Sequence, residues 1–222
     1  LEDNVNSKVI GSFLILGPLL LVIPWFTLGV DASGMSPTEH IAAVLEKSTQ
    51  SQASGILNVF GAIFLFTGLY YLAKSLKSDD SSSCCIVTSN SLAAIGGLLL
   101  ILCLPLFVTL VGAELIAIDA AKEFGNDVGA TILAASTGLQ MCGFLMIIGL
   151  FLVGASLTLK KKYKGIVGAL FMIVTILAFI DIISGEATGE VVSIIGWMGM
   201  FLMTLITGIL TIVTTLQKEN QS

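Results

Sequence analysis

Apolar residues are gathered into six long blocks along this chain, and shorter polar segments separate the blocks. The blocks hold about 20 residues or more, the length that an α-helix needs to cross a hydrocarbon layer roughly 30 Å thick. Lipid offers no hydrogen-bond partner to a peptide group, and the blocks lack the alternation of β-barrel strands, so we expect helices. The predicted spans are Val9–Val30, Gly55–Ala73, Leu92–Leu115, Ala130–Leu157, Gly165–Ile183 and Val191–Leu216.

The connection after the first span predicts a short helix. Ser36-Pro37-Thr38-Glu39 has a serine N-cap, a proline at the first helical position and a glutamate three residues after the cap, which together form a capping box. Ile41, Val44 and Leu45 follow as an apolar stripe. We therefore expect an amphipathic outer helix that lies on the membrane surface or against the spans.

Two more connections carry information. Asp119–Asp127 is a charged segment with helical residues and a helix stop at Gly125-Asn126, so we expect a second outer helical segment there. The serine-rich stretch Ser78–Ser83 predicts a flexible loop. We place Cys84-Cys85 in the same loop, where the pair is either simply solvated or a metal or palmitoylation site.

The spacing of glycine and lysine repeats along the chain. Equal stretches that frame an apolar helix are Gly55–Lys77, Gly138–Lys160 and Gly196–Lys218. The partner spans open alike, with Ile10-Gly11-Ser12-Phe13, Ile95-Gly96-Gly97-Leu98 and Val167-Gly168-Ala169-Leu170. We therefore predict an all-α polytopic membrane protein, a single membrane domain over residues 1–222 with three tandem hairpins at approximately 8–77, 92–161 and 165–218.

Lysine marks one side of the predicted bundle, and the chain has no arginine. The lysines on the side of both termini are Lys8, Lys74, Lys77, Lys160, Lys161, Lys162, Lys164 and Lys218. By the positive-inside rule that side is cytoplasmic, which predicts a multi-pass protein of the plasma membrane with both termini inside. Most acidic residues fall on the other side, so we expect acidic loops outside.

Composition agrees with a lipid environment. Hydrophobic residues make up 55% of the chain and charged residues 11%, whereas soluble domains carry about 25% charged residues. Glu2 and Asp3 precede the first block and only Lys8 supplies positive charge, so we expect a permanent first span rather than a signal peptide. A formal net charge of −5 argues against nucleic acid as a partner.

Catalytic and cofactor signatures are largely missing from the sequence. His40 is the one histidine, and in the first turn of a surface helix it is expected to be solvated rather than a metal ligand. A membrane enzyme acting on lipid would need a nucleophile beside a positioned base, which the sequence does not offer. Met198, Met200 and Met203 suit either Cu(I) or ordinary helix packing, and we favour packing. We therefore predict no enzyme, no cofactor and no metal.

Four polar residues near the predicted outer ends of spans are the candidate functional site. They are Asn58, Glu114, Gln140 and Asp181. An ionisable side chain in a span is by default a functional hypothesis, so these residues either converge on a vestibule that attracts cations or serve structure. In the structural alternative the acids reach water and the amides form interhelical hydrogen bonds.

Two families offer a resemblance. Three tandem hairpins with helices on the loops resemble the mitochondrial carrier family, but its Pro-x-Asp/Glu-x-x-Lys/Arg signature is absent around Pro18, Pro24 and Pro105. In length, hydropathy and glycine-led spans the chain resembles the small, functionally uncharacterised six-helix polytopic proteins of bacteria and archaea. That resemblance implies the fold and no activity.

Two functions remain open from the sequence. The first is a non-catalytic membrane subunit that packs against other membrane protein subunits in a larger complex. The alternative is a small transporter or channel for a cation or neutral solute, with an acidic outer vestibule. A polar cavity that reaches the membrane midplane would favour transport, whereas a dry interior would favour the subunit.

Overall fold

The computed structural model describes residues 6–30, 35–76, 84–184 and 189–221, which are almost entirely α-helical. The helices are α1 (Ser7–Leu28), α2 (Pro37–Glu46), α3 (Ser48–Ser75), α4 (Cys84–Phe124), α5 (Asn126–Ala135), α6 (Cys142–Leu159), α7 (Ile166–Ser184) and α8 (Glu190–Glu219). Six helices in the described part are long and apolar enough to cross a membrane, namely α1, α3, α4, α6, α7 and α8. The prediction of an all-α protein with six such helices is confirmed.

The six long helices pack in a closed ring. Going round it, α1 contacts α3, α3 contacts α4, α4 contacts α6, α6 contacts α7, α7 contacts α8, and α8 returns to α1. Buried apolar side chains from all six helices form one connected core, in which Leu14, Leu69, Leu100 and Val153 have no exposed surface. The Nζ of Lys8 and a carboxylate oxygen of Glu219 lie 2.8 Å apart where the ring closes.

Glycines set the distances between helices in this ring. A Cβ placed on Gly96 of α4 would lie 2.8 Å from the carbonyl oxygen of Gly149 on α6, and one on Gly149 would lie 3.1 Å from that of Gly96. The same reciprocal contact joins Gly154 of α6 to Gly168 of α7, and Gly11 of α1 to Gly208 of α8. The helix backbones therefore touch at these crossings, as small residues permit in membrane bundles.

Gly61 and Gly68 of α3 bring that helix close to α1 in a similar way. A Cβ on Gly61 or Gly68 would meet backbone or side-chain atoms of α1 within about 3 Å. Gly143 of α6 makes no such backbone contact, because the atom nearest to an added Cβ belongs to the ring of Trp197, at 3.4 Å.

The fourth predicted span begins too early. Residues 130–135 belong to α5, residues 136–141 form a 3-10 turn, and the membrane-length helix α6 begins only at Cys142. The apolar residues Ile132 and Leu133 pack against other helices of the protein instead of lipid, so hydropathy alone could not separate them from a span.

The third span differs from its prediction at both ends. Helix α4 has 41 residues, which makes it about 60 Å long. Cys84 and Cys85 begin this helix and do not lie in a loop, while the predicted loop Ser78–Ser83 lies outside the described residues. The segment 119–124 continues α4, and the helix ends at Gly125, whose φ of +97° suits glycine.

A second, smaller core lies at one end of the bundle. We call the unit formed by α2, residues 115–124 of α4, and α5 the cap. Its core consists of Ile41, Ala117, Ala121 and Ala130, with Leu45, Ile132 and Leu133 packed against it. The predicted capping box is present, since Ser36 accepts from the Glu39 amide and Glu39 accepts from the Ser36 amide. Helix α2 therefore lies against other helices of the protein.

Candidate functional site

Asp181 near the end of α7 joins that helix to α8. Ser193 and Trp197 are four residues apart, so both side chains lie on the α8 face that meets α7. The Ser193 hydroxyl donates to Oδ2 of Asp181 at 3.1 Å, and the Trp197 indole N–H donates to the same oxygen at 3.0 Å. The carboxylate therefore connects two neighbouring helices.

Glu114 lies beside His40. The two side chains, from α4 and α2, are close enough for a favourable electrostatic interaction between the carboxylate and a protonated imidazole. Both residues are partly buried and partly exposed, so the solvated role expected of His40 stays a prediction. The two residues lie where the cap meets the bundle.

Asn58 on α3 presents an unusual polar atom. Its side-chain carbonyl oxygen is buried and accepts no hydrogen bond from any described residue. An unsatisfied buried carbonyl costs about 1 to 3 kcal/mol relative to a satisfied one. The interhelical hydrogen bond expected from Asn58 is therefore not made by this oxygen, which is left able to accept from another group.

Gln140 does not lie in a long helix. It belongs to the 3-10 turn Ser136–Met141, which connects α5 to α6, and its side chain lies outside the described part of the structure. This turn packs against α4. The expected place of Gln140 within a fourth span is therefore wrong.

The four predicted residues divide into two groups by their helices. The elements that carry Asn58, Gln140 and His40 all contact α4, the helix of Glu114. Asp181 lies in the α7 and α8 pair, and neither of these helices packs extensively against α3 or α4. Among the described residues no group of three histidine, cysteine, aspartate or glutamate side chains is arranged to hold a metal ion.

Hydroxyl groups inside the bundle are satisfied within the protein. Thr204, Thr207 and Thr211 are buried on α8, and each donates to a backbone carbonyl one turn earlier, at 2.7 to 2.8 Å. Ser89 and Ser156 pair with each other across α4 and α6, with 2.9 Å between their hydroxyl oxygens. These groups stabilise helix contacts.

Most of the described lysines lie at the opposite end of the bundle. Lys160 at the end of α6 donates from Nζ to the side-chain oxygen of Asn90 on α4 at 2.7 Å. Partial burial lowers the pKa of Lys160 from its usual value. Lys162 donates from Nζ to the Ser75 hydroxyl on α3 at 3.4 Å. The sequence predicts that these lysines lie at one end of the bundle. It does not predict their hydrogen bonds to Asn90 and Ser75.

The loop between α6 and α7 has an uncommon backbone. We call residues 160–165 the lysine loop. Lys161, Tyr163 and Lys164 have φ values of +52°, +53° and +59°, in the left-handed region that residues other than glycine rarely adopt. Each such residue costs on the order of 1 to 3 kcal/mol and persists only where its surroundings hold it. The Tyr163 hydroxyl provides one such restraint, through a hydrogen bond of 2.7 Å with Thr211 on α8.

Comparison with protein-family models, curated proteins and solved structures finds no match for this chain.

Proposed function

We propose that this protein is a non-catalytic integral membrane subunit that binds other membrane protein subunits through its cap. The observation that carries the proposal is the apolar tip of the cap. Phe124 is 70% exposed and Val128 41% exposed, and both flank the turn at Gly125. They lie next to Glu123 and Asp127, so this end of α4 is in a polar environment where an exposed phenylalanine marks a contact surface.

The length of α4 supports an aqueous position for the tip. Lys160 contacts Asn90 near the start of this helix, and a hydrocarbon layer of roughly 30 Å needs only about 20 residues beyond that point. The segment that ends at Phe124 then rises clear of the lipid. A partner that covers Phe124 and Val128 removes them from water.

The bundle interior supports a structural role rather than transport. Apolar side chains from all six long helices fill the core, and the buried threonine hydroxyls of α8 are occupied by their own helix backbone. A solute path needs polar groups that face water. The described interior is therefore better suited to packing than to conduction.

The proposed orientation places both termini in the cytoplasm and the cap outside, in the plasma membrane. Its support is the end of the bundle that carries Lys8, Lys160, Lys162 and Lys218, because cytoplasmic loops carry an excess of lysine. The proposal also includes the predicted repeat of three hairpins. Its support is that Gly11 and Gly168, at matching positions of the repeated motif, each contact a glycine of an even-numbered span, on α8 and α6 respectively.

The test uses the full chain extracted from its native membrane in gentle detergent. Wild-type protein is expected to migrate in a complex well above its own 23.3 kDa, with partners present in fixed ratio by mass spectrometry. The variant Phe124→Asp/Val128→Asp is expected to migrate alone. The matched control Lys122→Gln/Thr131→Asp changes the cap charge by the same amount without removing apolar surface, and should retain the complex. Wild-type protein that always migrates alone, or a complex that survives both variants, refutes the proposal.

A cation transporter is the second candidate, and one observation favours it. The Glu114 carboxylate on α4 and the unsatisfied oxygen of Asn58 on the neighbouring α3 offer acceptor groups. The purified chain in liposomes, assayed for uptake of Na⁺, K⁺ or Mg²⁺, is expected to show no flux above protein-free vesicles. Saturable flux that is lost in Glu114→Gln while the fold remains intact would replace the subunit proposal with transport.

A further inference from the structure

The lysine loop brings positive charges together from separate parts of the chain. Lys160 and Lys162 both belong to the loop, and Lys218 lies in the last turn of α8. Burial is the largest influence against the charged form of Lys162, and repulsion from the positive charges of Lys218 and Lys160 adds to it. Lys162 is also partly buried, so solvent screens this repulsion only in part. The fold therefore concentrates like charge at one place.

Contacts with other helices hold the lysine loop in place. The Tyr163 hydroxyl is bonded to Thr211 on α8, and Gly165 is buried, so the loop is fixed against the same helix that carries Lys218. The Lys162 ammonium reaches Ser75 on α3, which fixes its direction. A strained left-handed backbone that is held from several sides is typical of a site with a function.

The surroundings match the headgroup level of a bilayer. All three tyrosines of the chain belong to this end, since Tyr70 and Tyr71 lie in the last turns of α3 and Tyr163 lies in the loop. Tyrosine rings favour the interface between hydrocarbon and water. Helix α7 begins directly after the loop, so the positive end of its backbone dipole adds to the lysine field.

We propose that Lys160, Lys162 and Lys218 form a binding site for a phosphate oxyanion at the lysine end of the bundle. Lysine ammonium groups bind phosphate as compact charges, and a phosphate placed among them converts their repulsion into attraction. The phosphate belongs either to an anionic lipid headgroup or to free inorganic phosphate, and the tyrosines favour the headgroup. A lipid held there would fasten α6, α7 and α8 to one another.

The test measures ligand binding to the detergent-solubilised full chain by native mass spectrometry. Short-chain phosphatidylglycerol, short-chain phosphatidylcholine and inorganic phosphate are titrated separately. Phosphatidylglycerol is expected to bind more tightly than phosphatidylcholine, and Lys162→Gln/Lys218→Gln is expected to weaken it by roughly 10- to 30-fold. The matched control Lys47→Gln/Lys122→Gln removes the same charge at the cap end and should bind as wild type does.

Two further measurements distinguish the source of the phosphate and allow for a variant that misfolds. Binding of inorganic phosphate with the same lysine dependence, and no preference among lipids, would identify a free phosphate site and support the shared chemistry. Should the double variant misfold, Lys218→Gln alone tests the proposal, because Lys218 is exposed and its loss should weaken binding roughly fivefold. Equal binding of both lipids without phosphate binding, or equal weakening by the cap control, overturns the site.

Discussion

The indole N–H of Trp197 donates to Oδ2 of Asp181 at 3.0 Å, and this bond joins α8 to α7 next to the short connection between them. Both side chains are partly buried, so water replaces the bond poorly. Asp181 also receives the Ser193 hydroxyl, which means that one carboxylate oxygen serves two donors.

We expect Asp181→Ala to lower the free energy of unfolding by about 1 to 3 kcal/mol, because it leaves two partly buried donors without an acceptor. Titration of the solubilised protein with a denaturing detergent measures this change. Asp181→Asn keeps an oxygen acceptor and should lose less. If Asp181→Ala and Trp197→Phe are each as stable as the wild type, the hydrogen bond contributes nothing and the prediction fails.

Gly168→Ala tests the helix crossings of the ring. The Cβ of alanine would collide with the backbone of α6 near Gly154 and Thr158, so we expect a loss of about 1 to 3 kcal/mol in unfolding free energy. Gly112 on α4 is the matched control, because no atom lies within 4 Å of an added Cβ. Gly112→Ala should be neutral or slightly stabilising, since alanine favours helix by about 1 kcal/mol. Equal effects at the two positions would contradict glycine-mediated packing.

Asn58→Leu separates the two functional proposals. If the unsatisfied oxygen has no role, removing it from a buried position leaves stability unchanged or raises it by about 1 kcal/mol. If it binds a cation, the same variant folds normally and loses flux in liposomes. The thermal midpoint and the flux assay are measured on one preparation. We expect the first outcome, and a fold-preserving loss of flux would reject it.

The capping box of α2 gives a pH-dependent prediction. Hydrogen bonds from the backbone and side chain of Ser36 hold the pKa of Glu39 below its ordinary value of 4.5. The folded carboxylate therefore binds fewer protons than the unfolded one, so its contribution is present above about pH 4.5 and is lost as the pH falls through the folded pKa. We expect hydrogen-exchange protection in the first turn of α2 to fall on acidification.

Two variants check the assignment of this pH effect. Glu39→Gln should flatten the dependence, because a neutral amide replaces the titrating group in the capping box. Glu46→Gln removes the same charge at the other end of α2 and should leave the dependence as in the wild type. Loss of protection that is equally steep in Glu39→Gln would assign the effect to another group.

Much of the fold follows from the sequence because lipid leaves the backbone few options. Long apolar segments had to become helices, and the capping box at Ser36 and Glu39 is a local pattern that a short helix cannot easily avoid. The start of α6 was missed because Ile132 and Leu133 are as apolar as a span, while their burial in the cap depends on distant residues.

The sequence predicts only part of the candidate site. It identifies the polar residues near the span ends, but it does not predict their partners, which come from other helices. Trp197 is 16 residues from Asp181, and His40 lies on the short helix α2 whereas Glu114 lies on α4. Nothing in the sequence predicts the left-handed backbone of the lysine loop, because lysine and tyrosine ordinarily avoid that backbone region.

The closed ring has a consequence for how the chain can be cut and rejoined. Every long helix has a neighbour on each side, and α1 is bound to α8 through Gly11, Gly208 and the pair of Lys8 with Glu219. No long helix therefore lies at an open edge of the bundle. Circular permutation that links α8 to α1 and opens the chain between α7 and α8 should preserve the architecture, whereas deletion of two adjacent long helices would expose the two helices on either side of the gap to lipid.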